Sequence, residues 1–382
     1  MNISSLRLGI RMLVLSVALL SITVGYGHAQ QPAGVSSSTI SPDDFSSVRD
    51  AAEHGDAAAQ FKLGVRYATG QGVSIDESLA ATWIRKSAQQ GYADAQFNLG
   101  LMYADGNGVP QNSEQALVWL RKAAEQGDGR AESNLGLMYA NGSGVQQDAG
   151  EAARWYRKAA DHGERTAQFT LGLMYAAGDG VAHDAAQAAS WFRKAAEQGH
   201  VLAQYNLGLM YLNADGVTRD VPQAVQWIRK AADAGDPKAQ FAMGVVYANG
   251  TGVTKDDVQA VAWYRRAAEQ GLPDAQTNLG TRYANGQGVP QDPAQAVAWF
   301  SRAADHGDMS AAFNLGVMYA NGTGVVADPI EAYKWIDIAS TRASGDDQKR
   351  GAAALQTLHA ALAPAQVIEG EKRAREWLEQ HR

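Results

Sequence analysis

The chain has 382 residues, no cysteine, and 33 Lys and Arg against 40 Asp and Glu, a net charge of −7 at neutral pH. Without cysteine no disulfide framework is available, and an acidic chain has no electrostatic case for binding nucleic acid. The length would suit two globular domains, but the pattern described below replaces that expectation with a repeat array.

At the N-terminus, Arg7 and Arg11 precede an apolar run over 12–24 and the small residues Gly27 and Ala29. This is the pattern of a secretory signal peptide, residues 1–29, and its apolar core is too short to span a bilayer comfortably. Cleavage is expected after Ala29. It removes two arginines and no acid, taking the net charge from −7 to −9. The expected location is the periplasm or the exterior, as a protein with no stable membrane span. The segment "QQPAGVSSSTISP" has no hydrophobic period, so 30–44 is expected to be a disordered tail. Residues 45–55, "FSSVRDAAEHG", align with the second helix of a repeat whose Trp has become Ser47, and are expected to form a capping half repeat.

From 56 to 342 the sequence repeats every 36 residues without insertion. Gly64, Gly100, Gly136, Gly172, Gly208, Gly244, Gly280 and Gly316 keep this spacing, and so do eight tyrosines from Tyr67 to Tyr319 and eight tryptophans from Trp83 to Trp335. A fixed period of this size marks a solenoid, whose units bury their apolar faces only against neighbours. Within one unit, Ala131, Leu135 and Tyr139 recur at i, i+4 and i+8, one face of a helix that Gly142 ends. The following Gly-x-Gly stretch comes after a helix, not between a strand and a helix, so it is a turn and not a phosphate cradle. Asp148 with Glu151 reads as a capping box for a second helix running to about Asp161. The box recurs at Asp184/Gln187, Asp220/Gln223, Asp256/Gln259, Asp292/Gln295 and Asp328/Glu331. A glycine inside a helix costs about 1 kcal/mol relative to alanine, so the eight mid-helix glycines imply close helix approach, with Ala116, Ala152 and Ala188 as the facing residues. Residues 343–382 leave the register and are expected to form capping helices, one carrying Leu355, Leu358 and Leu362, the next opened by Pro364 and carrying Val367, Ile368, Ala374 and Trp377.

The pattern A-x3-L-G-x2-Y-x2-G-x-G-V-x2-D-x3-A-x2-W-x2-K-A-A-x2-G resembles the Sel-one-like repeat (SLR) family, relatives of the tetratricopeptide repeat. The resemblance covers 45–342. It implies an all-α fold, a right-handed superhelix of antiparallel helix pairs used as a scaffold for protein partners. Some secreted relatives are cysteine-rich; this chain has none.

Catalysis needs unlike residues converging on one point, and hence breaks in the repeat. No H-E-x-x-H, S-x-x-K or G-x-S-x-G motif is present. His54, His162 and His306 share one slot at the end of the second helix, too far apart to share a metal and suited to the helix C-terminus. His183 and His200 are isolated. The Arg-Lys pair after each Trp, such as Arg157 and Lys158, reads as a solvated outer face, with an acidic partner as the alternative. Real breaks are Ala214 in place of a loop glycine, Leu212 before it, Arg66 and Arg282 in place of methionine, and Thr277 in place of an aromatic. On the first helix, the side opposite Ala131, Leu135 and Tyr139 carries an asparagine row, Asn98, Asn134, Asn206, Asn278 and Asn314, beside an apolar row with Leu101, Leu137, Leu173 and Leu209. Asparagine amides both donate and accept, so such a face suits a peptide main chain, the leucines taking its side chains; packing between neighbouring helices is the other use of the row. The expectation is a monomeric, non-catalytic scaffold without cofactor or metal, binding a protein or peptide. The alternatives are a hydrolase of cell-wall or β-lactam substrates, by analogy with the cysteine-rich relatives, and a structural envelope component.

Overall fold

The computed structural model describes residues 42–342 and 344–381. The expected signal peptide and residues 30–41 of the expected tail lie outside them. The described residues form nineteen α-helices and no strand, in two compact units divided between Arg219 and Asp220. The first holds α1 (Pro42–Glu53), then α2 (Ala57–Thr69), α3 (Glu77–Gln89), α4 (Ala93–Asp105), α5 (Ser113–Ala124), α6 (Gly129–Asn141), α7 (Ala149–Asp161), α8 (Arg165–Ala177), α9 (Ala185–Glu197) and α10 (Val201–Asn213). The second holds α11 (Val221–Asp233), α12 (Pro237–Asn249), α13 (Asp257–Glu269), α14 (Pro273–Asn285), α15 (Pro293–Asp305), α16 (Met309–Asn321), α17 (Pro329–Arg342), α18 (Gly345–Ala361) and α19 (Pro364–Gln380). The architecture is an all-α solenoid of helix pairs, even-numbered helices first in each pair up to α16. Helix α1 begins at Pro42, three residues before the expected start of folding, as proline suits the first helical position.

Each first helix ends in a left-handed residue whose N–H bonds the carbonyl four residues back, as Gly178 does to Met174. Each second helix starts on an Asp or Asn side chain that accepts the N–H three residues on, as Asp148 does from Glu151 at 3.0 Å. The reciprocal half of the expected capping box is absent. The Asp148 N–H is already taken by the Tyr139 carbonyl at 2.9 Å, and Asp184 and Asp292 repeat this with Tyr175 and Tyr283. The N-cap is thereby tied to the preceding helix, which leaves nothing for the Glu or Gln to accept.

The mid-helix glycines lie where the two helices of a pair cross. A Cβ on Gly100 would stand 2.7 Å from Leu120 Cγ, and one on Gly172 would stand 2.7 Å from the Phe192 ring. The residue after each Trp therefore fills the space, not chiefly the alanine expected there; that alanine adds backbone approach, as Ala80 and Ala332 do with carbonyl oxygens 3.1 Å from a Cβ on Gly64 and Gly316. Around this crossing the alanines and leucines of the repeat, such as Ala131, Leu135, Ala167 and Leu171, are fully buried. Ala214 is the one non-glycine at positive φ among the described residues, +58°, and ends α10 where the other repeats use glycine.

At the C-terminus, α18 and α19 both pack on α17. Val367, Ala374 and Trp377 are buried as expected, with Trp377 edge-on to Trp335 at 5.9 Å. Ile368 instead faces solvent, one residue past the buried stripe of α19, and Leu362 lies beyond the end of α18. Arg373 bridges Glu331 and Glu369, each at 2.8 Å.

Candidate partner-binding face

Seven of the nine proposed contact residues sit in the first unit: Asn98 and Leu101 on α4, Asn134 and Leu137 on α6, Leu173 on α8, and Asn206 and Leu209 on α10. Asn278 on α14 and Asn314 on α16 belong to the second. Their surroundings are not uniform. Asn98, Leu101, Asn134 and Leu137 are half-buried, whereas Leu173 is 8% exposed, Asn206 5% and Leu209 1%. The expectation of an open leucine row therefore fails at Leu173 and Leu209, which are core residues. Leu101 and Leu137 also give one side to packing, against the clusters built on Leu135 and on Leu171 respectively.

The asparagines are partly occupied. Asn98, Asn134 and Asn278 each donate one amide hydrogen to the carbonyl four residues back, at 2.7, 2.8 and 2.7 Å, a local bond open to short polar side chains on a helix. Their second hydrogen and the amide oxygen remain for a ligand. Asn206 differs, its Nδ2 being buried without a partner. Beside this strip, Arg130 lies over the Phe97 ring and bonds Asp94 at 2.5 Å and Asp128 at 2.6 Å, an ion-paired trio with one net negative charge. Those two carboxylates hold the guanidinium proton even more firmly than usual.

Three arrangements escape a reading of rows one at a time. The first is a glutamine ladder. Gln96 donates to the Ala88 carbonyl at 3.2 Å and accepts from Gln126 at 2.7 Å, and Gln60/Gln90, Gln168/Gln198 and Gln240/Gln270 do the same. In repeat three the rung is Glu132 with His162, Oε2 to Nδ1 at 2.7 Å, the Glu132 side chain only 3% exposed. His162 thus has a partner beyond the helix terminus, while His54 and His306 bond their own helices, to Asp50 and Arg302 carbonyls.

The second is the Arg-Lys pair. Each Arg reaches a Tyr hydroxyl of the next repeat: Arg85 to Tyr103 at 3.2 Å, Arg121 to Tyr139 at 2.8 Å, Arg193 to Tyr211 at 2.6 Å, and Arg157 to Tyr175. Each Lys sits over its own Trp, as Lys122 does over Trp119 at 4.2 Å. The pair is a cross-repeat fastening, not simply a solvated face.

The third is His200, the N-cap of α10. Its Nδ1 accepts the Ala203 N–H at 3.2 Å and its ring stacks on Phe169 at 4.3 Å. Burial, with Arg165 nearby, pushes its pKa down to about 4, so the neutral ring that capping requires is the stable form. Of the other sequence breaks, Arg282 pairs with Asp257 at 2.6 Å, Arg66 lies near the Phe45 ring at 5.9 Å, and Thr277 is buried with no partner for its hydroxyl. Among the described residues no three His, Asp or Glu are grouped to hold a metal ion.

This geometry, helix pairs crossing at a glycine with a Trp and a loop Gly-x-Gly at fixed offsets, is matched by the family model of the Sel1 repeat eight times, at 57–92, 93–128, 129–164, 166–200, 201–236, 237–272, 273–308 and 310–343. The chain belongs to the Sel1 repeat family. Among solved structures it is similar to a Sel1 repeat protein from Oxalobacter formigenes, with 35% identity, a TM-score of 0.63, and coverage of 84% of this chain and 96% of that one. It is also similar to c5321, a protective antigen present in uropathogenic Escherichia coli strains and displaying an SLR fold, with 30% identity, a TM-score of 0.56, and coverage of 88% and 95%. No curated protein matches. Sel1-repeat proteins are generally scaffolds for protein–protein interaction, typically without catalysis. No helix among the described residues is long and apolar enough to cross a membrane.

Proposed function

We propose that this Sel1-repeat protein is an exported, non-catalytic scaffold, acting as a single chain in the periplasm or outside the cell. It receives an extended segment of a partner protein on the strip formed by Asn98, Leu101, Asn134 and Leu137. The observation that carries this reading is the pairing of half-buried leucines with asparagine amides that keep a free donor and acceptor. A partner main chain is uncharged and alternates donors and acceptors, which such amides meet in turn, and the leucines supply apolar area. Asp94, Arg130 and Asp128 are bound to one another and together carry one net negative charge, which favours a neutral backbone over an anionic ligand. Leu173, Asn206 and Leu209 belong to the core and not to the strip; Asn278 and Asn314 are a corresponding pair in the second unit. Export is supported by the 1–29 pattern, and the E. coli relative's being a protective antigen is in keeping with it.

The test is a photo-crosslinking side chain at Leu137, compared with one at exposed Val118 on α5, in the producing cell. The reading expects one adduct from 137 and none from 118, and the adduct protein, once purified, to bind the mature chain. Equal labelling from both positions, or an adduct protein with no affinity for the purified chain, rejects it.

A further inference from the structure

The cation rows on the second helices form a surface distinct from the strip. In the first unit Arg85 and Lys86 on α3, Arg121 and Lys122 on α5, Arg157 and Lys158 on α7, and Arg193 and Lys194 on α9 stand at one register, six of the eight exposed and Arg85 and Arg157 half-buried. They share one surface: the Trp191 ring has the Lys194 ammonium at 3.8 Å and the Arg157 guanidinium at 5.8 Å. Each guanidinium is oriented by a Tyr hydroxyl, which uses one of its five N–H donors and leaves four. A row of oriented, partly desolvated guanidinium groups on a chain whose overall charge is negative receives carboxylates with little further ordering cost.

We propose that this row is a second docking surface, for an extended acidic protein segment with carboxylates about three residues apart. Stacked helices lie about 8–10 Å apart, and a chain extended as polyproline II advances about 3.1 Å per residue with three residues per turn, so every third side chain lies on one face and meets a new repeat. The exposed acids Glu125, just past the end of α5, and Asp161 and Glu197, the last residues of α7 and α9, each stand three residues beyond the lysine. They leave room for one carboxylate per repeat but repel a denser polyanion such as duplex nucleic acid, with a phosphate every ~1.7 Å of axis.

The experiment titrates the mature chain at low salt with a fluorescein-labelled peptide carrying Glu at every third position. Binding is expected to weaken as salt rises, and to weaken at least tenfold in the Arg121→Gln/Arg157→Gln variant. Tyr139→Phe/Tyr175→Phe, which keeps every cation and removes only the orienting hydroxyls, is expected to weaken it about threefold. Because the arginines cross repeats, Lys122→Gln/Lys158→Gln is the control against misfolding: each lysine lies over the Trp of its own helix, so the thermal melt is expected to hold while peptide affinity falls severalfold. Leu137→Glu is expected to leave peptide binding intact, which separates this surface from the strip. Absence of binding, affinity indifferent to all the cation substitutions, or tighter binding of duplex DNA competing for the same residues would each overturn the proposal.

Discussion

Repeats two and three, and repeats four and five, present the same register of residues on the first helix, yet the first pair leaves Leu101 and Leu137 half-exposed and the second closes Leu173 and Leu209 into the core. The same side chain at the same period is thus part of a surface in one place and part of the structure in another. Repeats two and four carry the same aromatic, Phe97 and Phe169, four residues before these leucines, so that residue alone does not set the difference. In repeat three the aromatic position is Ser133 and the helix opens on Gly129. Period alone places a residue on a face; it does not decide whether that face is covered.

The largest effect that would break this comparison is expected from Leu209→Glu. A carboxylate forced into a site 1% exposed has no partner, and about 4 kcal/mol of stability should be lost; a denaturant midpoint close to that of the wild type would show that repeat five is as open as repeat three. Next is Gly172→Val. Its Cβ would already stand 2.7 Å from the Phe192 ring, so overpacking should cost about 3 kcal/mol. An unchanged circular dichroism melt would remove close approach as the reason for the glycine row.

A smaller effect follows from His200, whose pKa in the fold is about 4 against about 6.5 in an unfolded chain. The unfolded state takes the proton first, so the contribution is complete above about pH 6.5 and is lost as the pH falls towards 4. About 1 kcal/mol is expected, the ordinary worth of an N-cap, since the ring keeps some solvent access. His200→Asn retains a capping oxygen and should flatten that part of the stability–pH profile; an identical slope in both proteins would contradict the assignment. Smallest is Ala214→Gly. Relief of a left-handed alanine at φ +58° should outweigh the added chain entropy and raise stability by about 0.5 kcal/mol, read as a small rise in the melting temperature.

The features legible in the sequence are those set within one repeat. The period, the left-handed glycine ends, the Asp N-caps and the glycine at the helix crossing each depend on a few consecutive residues or on backbone approach. What escaped depends on residues in different repeats. Gln96 and Gln126 stand 30 apart, and Arg121 and Tyr139 stand 18 apart; neither offset is the period, so rows taken singly do not reveal them. A partial signal existed: where the first glutamine of the rung becomes Glu132, the residue 30 further on is His162, although His306 fills that slot beside an unchanged Gln276. Burial of Leu173 and Leu209 was hidden for another reason: they stand at the same motif position as Leu101 and Leu137, which stay half-exposed.

The central claim, that the open part of this face is the binding surface, is tested most directly by the affinity of the partner crosslinked from position 137 for Leu137→Glu. Leu137 is half-exposed, so the variant should fold with stability within about 1 kcal/mol of wild type. The partner would then have to bury an unpaired carboxylate, and the affinity should fall at least tenfold. A folded Leu137→Glu protein that binds the partner as tightly as wild type would contradict the account.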